Sequence, residues 1–281
     1  MNRFGISTHL FHEQRLTREH LVHIAANGYD AIELFATRTH FDYHSADAAS
    51  ALAEWLSDTR IELHSVHAPI VESLQAGRWV GSFSNASGDD TRRKAALAET
   101  EAALAVAKLI PFRYLVVHLG MPTVEKVPPG DNQRDAARRS LEQIVETASR
   151  MNVRVAVEVI PNPLSSADVL AHLIEDQLEG LDIGVCLDYG HAHLMGDVGE
   201  TIETLSGHLW TTHVHDNNGR RDEHLLPYAG TIDWDAAMME TQKVGYDGLL
   251  MFEVADTGDP IDVLTRSMKV RERLEKTLVT F

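Results

Sequence analysis

The chain has very little cysteine and few positive charges for its size. Cys186 is the only cysteine among 281 residues, so no disulfide framework is available. It lies inside a predicted strand, where a small buried apolar side chain is the expected role. The 25 lysine and arginine residues face 42 aspartate and glutamate residues, which gives a net charge of -17 at pH 7. Such a surface repels phosphate backbones, so we expect nucleic acid to be an unlikely partner.

Long apolar runs and glycine-rich nucleotide motifs are also missing. No window approaches the ~20 apolar residues of a membrane span, and residues 1–10 lack the pattern of a signal peptide. We therefore expect a soluble, cytoplasmic protein with no membrane partner; a homo-oligomer remains open. Neither Gly-x-Gly-x-x-Gly nor Gly-x4-Gly-Lys-Ser/Thr occurs, so the usual nucleotide-binding sheets lack their fingerprint.

Eight apolar, strand-like runs alternate along the chain with eight helical segments. The predicted strands are residues 3–7, 30–35, 61–66, 114–117, 153–159, 182–187, 209–214 and 248–254. The predicted helices are residues 17–27, 45–58, 89–109, 131–151, 166–176, 198–206, 234–243 and 259–278. This alternation predicts an α/β fold, a (β/α)8 TIM barrel that forms a single domain over residues 1–281. An open, doubly wound sheet is the alternative.

One connection is too long for a plain turn. Residues 70–88 carry Trp79 and Phe83 among small polar residues, and the pattern predicts a loop that can cover a site. We expect both aromatic side chains to contact a substrate.

Metal-ligating residue types stand at the ends of successive predicted strands. In a barrel, all carboxyl ends of the strands lie on the face that builds the active site. Any one of these residues alone could be a helix cap or a hydrogen-bonded histidine, but six successive strands end this way. Imidazole and carboxylate groups together suit a divalent ion such as zinc, manganese or cobalt. The candidate ligands are His67, His118, Glu158, Asp188, His191, His213, Asp222, His224 and Glu253.

These residues sit in motifs that resemble a known superfamily over nearly the whole chain. The motifs are His67-Ala-Pro, Val117-His-Leu-Gly, Val157-Glu, Cys186-Leu-Asp-Tyr-Gly-His-Ala-His, His213-Val-His-Asp-Asn, Asp222-x-His and Ile232-Asp-Trp. They resemble the xylose-isomerase-like superfamily, which joins sugar-phosphate isomerases and epimerases to endonuclease IV.

The resemblance implies a metal count between one and three. In the epimerase branch four residues hold one divalent ion, and the matching positions are Glu158, Asp188, His213 and Glu253. The endonuclease IV branch binds three zinc ions with additional ligands. The positions that match those additions are His67, His118, His191, Asp222 and His224.

Two chemistries remain open for this site. In an isomerase or epimerase of a small sugar or sugar phosphate, Glu158 and Glu253 would move a proton through a metal-stabilised enediolate, and His191 would orient a substrate oxygen. We expect His215 and Arg221 to contact that substrate. In an endonuclease-IV-like phosphodiesterase, or another hydrolase or lyase, several ions would share Glu158. The ligand count favours the second chemistry and the acidic charge opposes it, so the sequence predicts the first. A non-catalytic sugar-binding barrel would not need so many ligands.

Overall fold

The computed structural model describes residues 4–75, 78–123, 127–255 and 258–279. Its strands are β1 Phe4–Ser7, β2 Ala31–Phe35, β3 Glu62–His67, β4 Val71–Gln75, β5 Arg78–Ser82, β6 Tyr114–Val117, β7 Arg154–Glu158, β8 Ile183–Asp188, β9 Leu209–Val214 and β10 Leu250–Phe252. Its α-helices are α1 Arg18–Ala26, α2 Ala46–Thr59, α3 Asp90–Leu104, α4 Arg134–Ser149, α5 Ala167–His172, α6 Tyr189–Met195, α7 Val198–Thr204, α8 Trp234–Lys243 and α9 Pro260–Val279.

Eight strands close into a parallel barrel, which confirms the predicted TIM barrel. Its order is β1-β10-β9-β8-β7-β6-β3-β2, and β1 pairs with β10 to complete the ring. The short strand β6 (Tyr114–Val117) is buried at every residue, because a parallel strand in a barrel is covered on both faces. The predicted start of the first strand at Arg3 lies outside the described residues.

Polar side chains fix where several helices begin. The side chain of Ser45 accepts a hydrogen bond from the Ala48 amide at the start of α2, and Asp89 accepts two from the first turn of α3. Asp188 does the same for α6, since its Oδ1 accepts from the His191 amide at 2.6 Å. Caps of this type satisfy backbone amides that have no partner inside the helix.

Two local expectations differ from the structure. Residues 70–88 contain an antiparallel hairpin, β4 and β5, in which Ser73 pairs with Val80, rather than a loop alone. The chain after Asp188 forms the short helix α6, which is not among the eight predicted helices. The hairpin packs Trp79 against His12, a contact between distant loops that the local residue pattern does not report.

The barrel interior below the strand ends is filled by small apolar side chains. Val116, Ala156 and Cys186 are fully buried and form one cluster. On their strands Ala156 and Cys186 precede Glu158 and Asp188 by two residues, so they lie on the same face of the sheet. This layer closes the barrel beneath the two carboxylates, and Cys186 has the buried position expected for it.

Irregular pairing changes which residues share a face. Between β2 and β3 the register shifts, so that Ile32 pairs with Leu63 but Glu33 pairs with Ser65. A bulge of this kind re-aims the side chains that follow it.

No helix in the described part of the chain is long and apolar enough to cross a membrane.

Candidate metal centre

The structure gathers all nine predicted ligands at the carboxyl ends of the barrel strands. Together with His215, which was not among the predicted ligands, they form three groups, and within each group one ligand atom from every residue lies within 4.8 Å of the others. The groups are Glu158, Asp188, His213 and Glu253; His67, His118 and Glu158; and His191, His215, Asp222 and His224. Glu158 belongs to two groups, and His215 Nε2 of the third group lies 3.0 Å from Asp188 Oδ2 of the first, so the three form one continuous cluster.

The central group consists of buried side chains from four adjacent strands. His213 Nδ1 lies 3.4 Å from Glu158 Oε1, 3.8 Å from Asp188 Oδ2 and 3.2 Å from Glu253 Oε2. All four residues are at most 3% exposed. Among the described residues, His213 Nδ1 and Glu158 Oε1 have no hydrogen-bond partner. Buried polar atoms seldom lack a partner, so the geometry fits a cation placed between these atoms.

The second group brings two imidazoles onto one carboxylate oxygen. His67 Nε2 lies 3.1 Å and His118 Nε2 3.0 Å from Glu158 Oε2. His67 Nδ1 donates to the carbonyl oxygen of Ala68 at 2.8 Å. A neutral His67 therefore directs the lone pair of Nε2 at a carboxylate oxygen, and these two acceptors need a proton or a cation between them.

The third group repeats this arrangement around Asp222. Its Oδ2 lies 3.0 Å from Nε2 of both His191 and His224. His224 Nδ1 donates to the Glu253 carbonyl at 2.8 Å, and His191 Nδ1 lies 3.1 Å from the Val159 carbonyl. Backbone carbonyls thus orient the imidazoles so that their Nε2 atoms point at carboxylates, as is usual for histidines that ligate metals.

Charges within the cluster shift the pKa values of its members in opposite directions. Burial lowers the pKa of His67, but the hydrogen bond and charge of Glu158 outweigh it and raise the pKa to about 9. Burial also lowers the pKa of His224, but the charge and the hydrogen bond of Asp222 outweigh it and raise the pKa to about 9. Burial raises the pKa of Glu158, but the charge of His118 and its neighbours holds it well below the usual range. Without a metal ion, protons on imidazoles balance the carboxylates.

Glu33 is a site residue that the sequence reasoning missed. It is fully buried on β2, and its Oε2 accepts hydrogen bonds from His213 Nε2 at 3.2 Å and from the Ser65 hydroxyl at 2.8 Å. This contact holds the proton of His213 on Nε2 and leaves Nδ1 free to face the central group. The sequence signal that could have indicated Glu33 is that it is the single acidic residue within the apolar run Ala31-Ile-Glu-Leu-Phe.

His9 is not among the predicted site residues, but it lies beside the cluster. Its ring lies 4.8 Å from that of His224 and stacks on His12 at 4.6 Å. Trp79 continues the stack beyond His12 at 5.1 Å. These rings line a cavity of about 260 Å³, here called the mouth cavity. Its lining residues are His9, His12, Trp79, Pro122, Pro161, Asp222, His224 and Ala255.

The four residues expected to contact a substrate occupy different positions. Trp79 lines the mouth cavity, and Phe83 lines a smaller cavity beside His118. His215 is fully buried, its Nε2 lies 3.0 Å from Asp188, and it is a member of the third candidate ligand group. Arg221 is exposed and, among the described contacts, makes no hydrogen bond or ion pair with the cluster.

Comparison with known proteins identifies the family. The sequence pattern of the family described as "Xylose isomerase-like TIM barrel" matches residues 21–274. The chain therefore belongs to this family. L-ribulose-5-phosphate 3-epimerase UlaE of Salmonella typhi is 26% identical over 239 residues, which cover 81% of this chain and 78% of that protein.

Solved structures share the fold across the whole chain. A D-tagatose 3-epimerase-like protein superimposes with a TM-score of 0.78 at 24% identity and covers 99% of this chain and 98% of its own. The structure titled IOLI protein with a binding zinc atom gives a TM-score of 0.76 at 15% identity, with 100% of this chain and 99% of that chain covered. The relatives of this chain thus include sugar epimerases.

Replacing Glu33 with glutamine tests its effect on the metal centre. Glu33→Gln keeps the size of the side chain but removes the charge that faces His213 Nε2. We expect zinc affinity to fall about 10- to 100-fold, the usual cost of losing a group that orients a metal ligand. Competition with a chelator of known affinity measures this change. Glu62→Gln, at an exposed position on β3, should leave the affinity unchanged. Equal affinities for both variants would contradict the role of Glu33.

Zinc binding to the metal-free protein should release protons. His67 and His224, with pKa values of about 9, hold protons at pH 7 that they must lose to act as ligands. The apparent zinc affinity should therefore rise with pH between about pH 7 and 9, as these two imidazoles lose their protons. Calorimetry at pH 7 in two buffers of different ionisation enthalpy measures the release. Binding at pH 7 without proton release would mean that neither imidazole ligates the ion.

Proposed function

We propose that the protein is a metal-dependent isomerase or epimerase of a small sugar or sugar derivative. The observation that carries the proposal is the central group, where Glu158 and Glu253 share one set of ligand atoms with Asp188 and His213. Sugar epimerases among the relatives support the same substrate class. The mouth cavity of about 260 Å³ lies just below the range of roughly 300–1,000 Å³ that is typical of sites for drug-sized ligands, which fits a small substrate.

The donor set supports one to three divalent ions of zinc, manganese or cobalt. Mixed imidazole and carboxylate ligands suit all three metals, and the zinc atom in the IOLI structure is one of them. A bound ion would act as a Lewis acid that polarises a sugar carbonyl and acidifies the neighbouring C–H.

The two glutamates are not equally free to move a proton. Both oxygens of Glu158 face imidazoles: Oε2 lies 3.1 Å from His67 and 3.0 Å from His118, and Oε1 lies 3.2 Å from His191 Nδ1. Glu253 faces His213 through Oε2 at 3.2 Å and approaches His224 at 4.0 Å. Because fewer groups hold Glu253, we assign it the removal of the substrate proton.

The return of the proton distinguishes the two reactions. In an isomerase, Glu253 itself would return it to the neighbouring carbon, whereas in an epimerase Glu253 would keep it and Glu158, starting the cycle protonated, would deliver its own proton to the other face of the substrate. His191 already has partners at both ring nitrogens, which favours a ligand or positioning role over direct contact with the substrate.

A second candidate is a multi-metal phosphodiesterase or another metal-dependent hydrolase or lyase. The second and third ligand groups favour it, because an epimerase with one ion needs only the central group. Several ions close together can clamp both oxygens of a phosphoryl transfer. The net charge of -17 opposes a nucleic acid substrate.

Hydrogen exchange in heavy water separates the candidates. With a ketose or aldose substrate, the metal-loaded protein should introduce deuterium at the carbon next to the carbonyl. The exchange rate, divided by the metal content of the sample, should be at least about a hundredfold lower in Glu253→Gln, which is the low end for losing a positioned acid–base group. Glu62→Gln serves as the matched control, and metal content is measured for every variant.

Two results would contradict the proposal. One is full exchange by Glu253→Gln at normal metal content, which would remove Glu253 as the base. The other is hydrolysis of an abasic-site duplex or a simple phosphodiester without exchange in any sugar of the panel, which would support the second candidate.

A further inference from the structure

A second cavity lies beside the mouth cavity and shares Trp79 and Pro122 with it. We call it the apolar side cavity; its volume is about 80 Å³. The hairpin segment and the loop after β6 build it together. Apart from the two shared residues, its lining consists of Ile70, Val71, Phe83, His118, Gly120 and Met121. The walls are therefore largely hydrocarbon, whereas imidazoles and a carboxylate line the mouth cavity.

Main-chain groups around the apolar side cavity already have partners. The Phe83 amide donates to the Ile70 carbonyl at 2.8 Å. The Met121 amide donates to Asn132 Oδ1 at 2.8 Å, and the Met121 carbonyl accepts from Asn132 Nδ2 at 3.0 Å. A hydroxyl or phosphate placed here would lose its water without gaining these partners, which is unfavourable. An apolar group has no such requirement.

His118 connects this cavity to the metal centre. Its ring lines the cavity, its side chain is 10% exposed, and its Nε2 lies 3.0 Å from Glu158 Oε2. The apolar side cavity therefore adjoins both the mouth cavity, with which it shares Trp79 and Pro122, and the ligand cluster, with which it shares His118. The natural occupant is one end of the substrate itself.

The volume limits the size of that end. A cavity of roughly 150 Å³ accepts benzene, and this one has about half that volume. A methyl or short alkyl group fits, whereas an aromatic ring does not.

We propose that the substrate is a sugar or sugar derivative that carries a methyl or short alkyl group, and that this group binds in the apolar side cavity. The proposal rests on the proposed function, because it assumes that the sugar end of the molecule lies at the ligand cluster. It assigns Val71, Phe83 and Met121 a role in substrate specificity.

Matched pairs of ketoses test the proposal. Each pair differs only by a terminal CH3 in one sugar and CH2OH in the other, as in a 6-deoxyketohexose and its parent ketohexose. Calorimetric binding to the metal-loaded protein and deuterium exchange are measured for both members. We expect a preference of about tenfold or more for the methyl sugar, the discrimination typical of a hydrophobic pocket.

An isosteric pair of variants assigns the preference to this cavity. Val71→Thr adds a hydroxyl to the cavity wall without changing its shape, so the preference should fall towards one. Val80→Thr makes the same change on the paired strand β5, where Val80 is 39% exposed and lines neither cavity. It should leave the preference intact.

The outcomes separate this proposal from the proposed function. Tighter binding of the methyl sugar that Val71→Thr abolishes supports the cavity assignment, even if neither sugar exchanges deuterium. If both sugars of a pair exchange deuterium and bind with equal affinity, the cavity assignment is overturned and the isomerase or epimerase proposal stays intact. A preference that survives in Val71→Thr also overturns the assignment, and failure of every sugar to bind or exchange overturns both proposals.

Discussion

The structure depends on the way in which buried carboxylates at the barrel mouth are neutralised. Glu158, Asp188 and Glu253 are at most 3% exposed, and Glu33 is buried beside them. Burying an ionised carboxylate is costly unless an opposite charge accompanies it. In the metal-free protein, protonated imidazoles supply that charge, and this requirement explains why the pKa of His67 is raised while that of Glu158 is lowered. A divalent ion between the same atoms would replace those protons.

Much of the surrounding structure serves to hold the imidazoles in place. The carbonyl groups of Ala68, Val159 and Glu253 contact the Nδ1 atoms of three of them. Glu33 holds a fourth, His213, through Nε2, and the register shift between β2 and β3 pairs Glu33 with the serine that binds it. The ligand directions are therefore set before any ion binds, which reduces the cost of ordering the site.

The sequence predicted the barrel, and it predicted that nine candidate ligands lie together at one end of it, because both leave local signals. An apolar strand that ends in a histidine or an acid, such as Val117-His118 or Val157-Glu158, reports its own position at the carboxyl end of the barrel. Glu33 was not predicted, because its role depends on the register of β2 against β3. The hairpin of β4 and β5 was not predicted either, since its position against His12 comes from a contact between distant loops. His215 was assigned to the substrate, because its neighbour Asp188 becomes apparent only in the folded barrel.

The central claim is that the residues at the mouth of this barrel hold a metal ion. Anomalous diffraction at the zinc edge, from crystals of the zinc-loaded protein, tests it most directly. The account predicts a peak about 2.0–2.3 Å from donor atoms of Glu158, Asp188, His213 and Glu253. Further peaks beside His118 or Asp222 would set the number of ions. A zinc-loaded crystal with no peak among these side chains would contradict the account.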